Sequence, residues 1–142
     1  MATFIHSKLT VVFLDNAAGA LQDISQYCNS VSFPQELEEV DTTSFGATSR
    51  TFIPGFANGT LSLSGNWDRT FDGIMSGVYS AFRAGTLASV TFEYGPEGNA
   101  SGDVRYTGEA VMLSYEKSSE VEDPVAWSAE FRVSGTVTVN TY

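Results

Sequence analysis

From Val125 to Asn140 the chain alternates apolar and polar residues almost without a break. Trp127, Ala129, Phe131, Val133, Val137 and Val139 fall on one side. Ser128, Glu130, Arg132, Ser134, Thr136 and Thr138 fall on the other. A period of two held this long specifies a β-strand with one face on a core and the other toward water or a polar partner. A chain that carries such a strand must build a sheet around it. The same pattern runs from Thr60 to Asp68, where Leu61, Leu63 and Trp67 alternate with Ser62, Ser64 and Asn66. Both tryptophans take the apolar parity, which predicts that both are buried.

Three further strands are legible. Leu9 to Leu14 is β-branched and apolar and ends at Asp15-Asn16-Ala17-Ala18-Gly19, a hairpin-turn sequence. Leu87 to Tyr94 alternates and stops at Gly95-Pro96. Val104 to Glu116 changes apolar parity near Ala110 and Val111, which predicts a bulge or a far end covered on both faces. Ser30 to Phe45 reads as a mixed extended segment, and Gly95 to Asp103 as an exposed tip. One helix is expected over about 69–84, because Phe71, Ile74, Met75, Val78 and Phe82 make a single apolar stripe. Asp68 or Thr70 suits its start, and Arg83 followed by Gly85 suits its end. Beside the stripe, Gly73, Gly77, Ser80, Ala81 and Ala84 form a strip of small residues, expected to pack closely on the chain's own sheet.

These elements define a mainly β protein, a β-sandwich or partly closed barrel with one flanking α-helix. The 142 residues suit a single domain, 1–142. Hydrophobic residues make up 42% and charged residues 17%, enough apolar material for a real core. Seven basic against seventeen acidic residues give a formal charge of −10, which repels phosphate backbones and argues against gripping nucleic acid. A lone cysteine, Cys28, rules out a disulfide-stapled fold. No apolar run is long enough to cross a bilayer, and the first residues lack a signal-peptide pattern. The expectation is a soluble protein kept inside a cell or particle, with no membrane insertion.

Residues that carry chemistry are scarce. His6 is the only histidine and Cys28 the only cysteine, too few for a structural zinc site or a nucleophile–histidine relay in the body of the fold. Cys28 reads as a small core residue. Gly73-Ile74-Met75-Ser76-Gly77 has its serine in the wrong place for a nucleophile elbow and lies inside the helix. The carboxylates Glu36, Glu38, Glu39 and Asp41, and again Glu116, Glu120, Glu122 and Asp123, cluster without basic or aromatic neighbours to tune them as acid–base pairs. No cofactor and no enzymatic activity are expected. The unusual residues lie elsewhere. Thr42 to Asn58 (TTSFGATSRTFIPGFAN) reads as a loop by its Gly, Pro, Ser and Thr content, yet it carries Phe45, Phe52, Ile53 and Phe56. Four large apolar groups on a surface loop need a cover. Either the loop folds back on its own sandwich, or a neighbouring subunit supplies the cover.

A set of phrases along the chain resembles one known family. These are Asp23-Ile24-Ser25-Gln26-Tyr27, Val31-Ser32-Phe33-Pro34, Glu39 through Gly46, Arg50-Thr51-Phe52-Ile53-Pro54-Gly55, Gly59 through Leu63, and Trp67-Asp68. With the order of helix, strand and long hairpin that follows, and the closing Phe131-Arg132-Val133-Ser134-Gly135-Thr136-Val137, the chain resembles the major tail tube proteins of long, non-contractile-tailed (siphovirus-type) bacteriophages. The resemblance implies a structural virion protein, six copies closing into a ring, and rings stacking into a hollow tube that carries the DNA genome into the host. It implies tape-measure, tail-terminator and tail-tip proteins as partners, and location in the phage tail after synthesis in the host cytoplasm. On that reading Phe45, Phe52, Ile53 and Phe56 meet neighbouring subunits. Glu36, Glu38, Glu39 and Asp41 then face the lumen, where like charge lets DNA slide without binding; Glu130 is disfavoured there because Arg132 shares its face. The alternatives are a capsid decoration or other accessory virion binding module on the same sandwich, and a carbohydrate-binding sandwich using exposed aromatic rings.

Overall fold

The computed structural model describes residues 4–142. Eight strands and one α-helix follow in the order β1 (Val11–Asp15), β2 (Leu21–Asp23), β3 (Ser30–Ser32), β4 (Gln35–Asp41), β5 (Phe52–Asn66), α1 (Arg69–Ala84), β6 (Val90–Gly95), β7 (Val104–Ser118) and β8 (Ala126–Thr141). Every strand pairing is antiparallel, in the path β2-β1-β6-β7-β8-β5-β3, with β4 joined to the free half of β5. The sheet curls. Phe33, between β3 and β4, stands edge-on to Phe92, Tyr94 and Tyr106 at ring distances of 5.6, 6.2 and 5.9 Å, so one margin of the sheet meets strands from its middle.

The core lies inside this curl and is closed by α1. Leu61 and Leu63 of β5, Phe92 of β6, Met112 of β7 and Trp127 and Phe131 of β8 face Phe71, Met75 and Val78 of the helix. Phe71 sits 4.3 Å from the Trp127 ring and 5.1 Å from Tyr27. Full burial of side chains of this size contributes about 1.5–3 kcal/mol each. The helix starts where expected, with the Asp68 carboxylate accepting the Thr70 N–H at 2.9 Å, and ends at Gly85 in the left-handed conformation, φ 76°. In the β1–β2 turn the Asn16 side-chain oxygen accepts the N–H groups of Ala18 and Ala20, both at 3.0 Å.

Several sequence expectations need correction. Residues 52–58 are not loop: they are the first half of β5, paired with β4. Trp67 is 36% exposed, because the chain has left the strand and turned toward α1 by that point, whereas Trp127 is 2% exposed. The small-residue strip of α1 is only partly covered: Gly77 and Ala81 are half-buried, Gly77 approaching Ala17 of the β1–β2 turn. Gly73, Ser80 and Ala84 face outward, and nothing lies within 4 Å of where a Gly73 side chain would start. The parity change in β7 comes at Leu113, an extra residue between the pairs Met112–Phe131 and Ser114–Glu130. In β8 a second irregularity at 135–137 ends the inward series, and Val139 is exposed. The 95–103 turn is exposed only over residues 99–102. The Val104 N–H bonds the Glu97 carboxylate and the Gly102 N–H bonds the Tyr142 carbonyl, tying the rest down.

Candidate assembly surfaces

Beyond Gly59, β4 and β5 leave the body of the sheet and pair only with each other, making a two-stranded arm that is exposed along its length. Its register is Glu36–Asn58, Leu37–Ala57, Glu39–Pro54, Val40–Ile53 and Asp41–Phe52, with a bulge on β5 around Gly55. A side chain at Gly55 would stand 3.1 Å from Val40 and 3.2 Å from Glu38, a close fit at the bulge. The tip is knit by polar bonds. The Thr42 N–H bonds the Thr51 carbonyl at 2.8 Å, the Thr51 N–H bonds the Thr43 hydroxyl at 2.9 Å, and Arg50 contacts Asp41 at 3.3 Å. Hydrogen bonds from Thr43 hold the Asp41 carboxyl below the usual carboxylate range.

The arm carries all four apolar residues singled out in the sequence, and none folds back on its own protomer. Phe45 is fully exposed at the tip, Phe56 is 80% exposed, and Phe52 and Ile53 are about half exposed. Leu37 and Val40, which the sequence reading passed over, join them on β4. A cleft of about 430 Å³ opens at the base of the arm between Leu37, Ala57, Val133 and Val137, beside the β8 irregularity.

The acidic cluster on β4 divides. Strand alternation puts Glu36 and Glu38 on one face of the arm and Glu39 and Asp41 on the other. Glu36 lies opposite Asn58, on the face that continues as the outward side of β5. There the register builds two transverse rows across four strands. Ser30, Ser64, Ser128 and Glu116 form one; Ser32, Ser62, Glu130 and Ser114 form the next. With strands about 4.8 Å apart, each row is about 14 Å wide. The rows line a shallow trough of about 330 Å³, floored by small polar side chains with one carboxylate per row. Serines at alternate positions of a single strand are visible in the sequence, but the rows exist only in the register between strands.

At the far end of β5 a carboxylate gathers an aromatic cluster. Asp72 of α1 accepts hydrogen bonds from the Tyr115 hydroxyl at 2.9 Å, the Trp67 indole N–H at 3.2 Å and the Ser76 hydroxyl at 3.2 Å. Lys117 lies over the Tyr115 ring, 4.5 Å from its centre. Partial burial disfavours the Asp72 charge, but these bonds and Lys117 outweigh it, so the carboxyl titrates below its ordinary value. Burial, followed by the bond to Asp72, pushes Tyr115 up. Val121 and Val125, in the turn between β7 and β8, are exposed, and the Trp67 backbone N–H ties Val125 to this cluster by bonding its carbonyl at 2.8 Å.

Cys28 is half-buried against the core, and burial pushes its thiol up to about 12, which leaves it a poor nucleophile near neutrality. Among the described residues no three His, Cys, Asp or Glu side chains are grouped to hold a metal ion. No described helix is long and apolar enough to cross a membrane.

No protein-family model and no curated protein matches this sequence. Solved structures do match its fold. The tail of an empty gene transfer agent particle, refined helically with C6 symmetry, matches with a TM-score of 0.76 at 14% identity, over 96% of this chain and 98% of that one. The SPP1 tail tube matches with 0.74 at 17% identity, over 97% and 80% of the two chains. A sheath/tube terminator structure of an extracellular contractile injection system, PVC, in its extended state matches with 0.75 at 11% identity, over 99% of both. The chain therefore has the tail-tube fold: mainly β, eight antiparallel strands and one α-helix.

Proposed function

We propose that this chain is the repeating subunit of a phage-type tail tube, a structural protein and not an enzyme. The observation that carries the proposal is the coincidence of fold with tail and tube structures over almost the whole chain. The C6 symmetry of the gene transfer agent tail supports rings of six. The arm supports assembly independently: Phe45, Phe52, Ile53 and Phe56 stand in water in the lone protomer, and a neighbouring subunit is the natural cover. At roughly 25 cal/mol per Å², covering them supplies several kcal/mol toward docking, before its entropic cost.

The working surface is the channel wall. The serine–glutamate rows of β3, β5, β8 and β7 are small, polar and acidic, and Glu36 and Glu38 extend the same face. Arg132 shares the β8 face but stands in the next row, opposite Thr60, so the register between Ser62 and Ser114 argues Glu130 back into the wall. Glu39 and Asp41 take the opposite face of the arm and serve contacts between subunits. Six copies at −10 each give a ring of roughly −60, and such a wall repels DNA phosphates over about a Debye length, roughly 8 Å at physiological salt. DNA then passes without adhering. The tail is of the non-contractile, siphovirus type, and its tube meets tape-measure, terminator and tip proteins within the virion. The test is electron microscopy of the purified protein beside Phe52→Ser/Phe56→Ser. Rings or tubes with a central channel are expected from the unmodified chain and loss of both from the variant. A monomer that stays single at high concentration overturns the proposal in favour of an accessory virion module.

A further inference from the structure

The path of the curled sheet ends at β2 on one side and at β3 on the other. The link between them, residues 24–29, is tied across the seam. The Ile24 N–H bonds the Val12 carbonyl of β1 at 3.0 Å, and the Asn29 N–H bonds the Ser64 carbonyl of β5 at 2.9 Å. Beside this link a cleft of about 390 Å³ opens, walled by residues from the stretch ahead of β1, from the link, from β3 and by Tyr94 of β6. We infer that this cleft binds a small organic oxyanion, a carboxylate or phosphate monoester carried on a compact apolar body. The site does not depend on the tube reading.

Three observations carry it. First, the cleft gathers donors that the protein leaves unused. His6, Lys8, Asn29, Ser30 and Tyr94 line it, and among the described residues none of their side chains donates a hydrogen bond or joins an ion pair within the chain. The His6 Nδ1 accepts the Lys8 backbone N–H at 3.1 Å, which sets the ring proton on Nε2. Burial and the neighbouring Tyr106 phenol push the Tyr94 hydroxyl up, so it keeps its proton to donate. Thr10 and Ser25, in the same wall, are by contrast committed, donating to the Pro96 and Val12 carbonyls at 3.0 and 3.2 Å. Second, the sign of the charge is unusual for this chain. Acidic residues outnumber basic ones by seventeen to seven, yet Lys8 lines the cleft and no carboxylate does. Asp23, at the end of β2, is turned to the Ser25 N–H at 2.9 Å. An ammonium among neutral donors with no competing acid selects an anion. Third, the rest of the lining is apolar, from Val12, Cys28, Val31 and the Tyr94 ring. The volume falls in the range of small-molecule sites, about 300–1,000 Å³, with more room than a bare phosphate needs.

Saturation-transfer NMR on the full chain, with phenyl phosphate as the probe, tests the site in any state of assembly. Saturable binding is expected with a dissociation constant of about 1 mM, the scale for so small a ligand. Phenol, the same ring without the charge, should bind about tenfold more weakly or worse. Lys8→Glu reverses the one cation of the cleft, and Ser30→Glu adds a carboxylate to its wall; each is expected to weaken phenyl phosphate about tenfold or more. Both positions are exposed, so both variants should melt like the parent. Arg83→Glu makes the same change of charge as Lys8→Glu on the open side of α1 and should bind like the parent. Phenol binding as tightly as phenyl phosphate, no saturation below about 20 mM, parent affinity in either cleft variant, or an equal loss in Arg83→Glu overturns the site.

Discussion

Asp72 accepts three side-chain hydrogen bonds, from α1, from β7 and from the corner at Trp67. Removing its charge should loosen the helix from the sheet. Asp72→Asn is expected to cost about 1 kcal/mol near neutrality, the scale of a partly solvated charge-assisted bond. Because the folded carboxyl titrates below its unfolded value, this contribution is complete above pH about 4 and fades as pH falls through the folded value. Thermal melts from pH 7 downward should show the gap between variant and parent closing in acid; a constant gap would assign the effect to packing. Gly65 makes a sharper case. Its missing side chain is where the Tyr27–Cys28 backbone crosses β5, and the Trp127 indole N–H holds that backbone through the Tyr27 carbonyl at 3.0 Å. Gly65→Ala must push two main chains apart, and a loss of at least about 3 kcal/mol in denaturant titration is expected.

Among the elements, α1 was fully legible, since its stripe, its Asp68 cap and its Gly85 stop are all local signals. The buried half of β8 was legible because one face meets the core. The arm was not. Both its faces lie in solvent, so neither selects an alternating pattern, and Pro54 and Gly55 at the bulge give the composition of a loop. Parity likewise misplaced Trp67, because alternation says nothing about where a strand ends. The arm's independence from the core has a measurable consequence. Phe52→Ser/Phe56→Ser should leave the unfolding free energy of the protomer within about 0.5 kcal/mol of the parent, the usual range for surface changes, while abolishing assembly. A large drop in stability would mean that the arm packs on its own body in solution.

For the molecule as a whole, the proposed assembly has to overcome its acidity. Subunits of charge −10 repel one another as they gather, so salt that screens this repulsion should speed polymerisation. Light scattering between 0.05 and 0.5 M salt, both round values for such a series, should show faster growth at the higher end; slower growth would assign the contacts chiefly to ion pairs such as those of Arg50. The serine–glutamate rows were beyond sequence reading for a different reason: no strand encodes which residue of another strand stands beside it. Register alone aligns Ser64 with Ser128 and Ser62 with Glu130. A reconstruction of the assembled polymer by electron cryomicroscopy bears most directly on the account. It should show a hollow tube whose channel is lined by Ser62, Ser64, Ser128 and Glu130. A solid filament, or a tube that presents these residues on its outside, would contradict it.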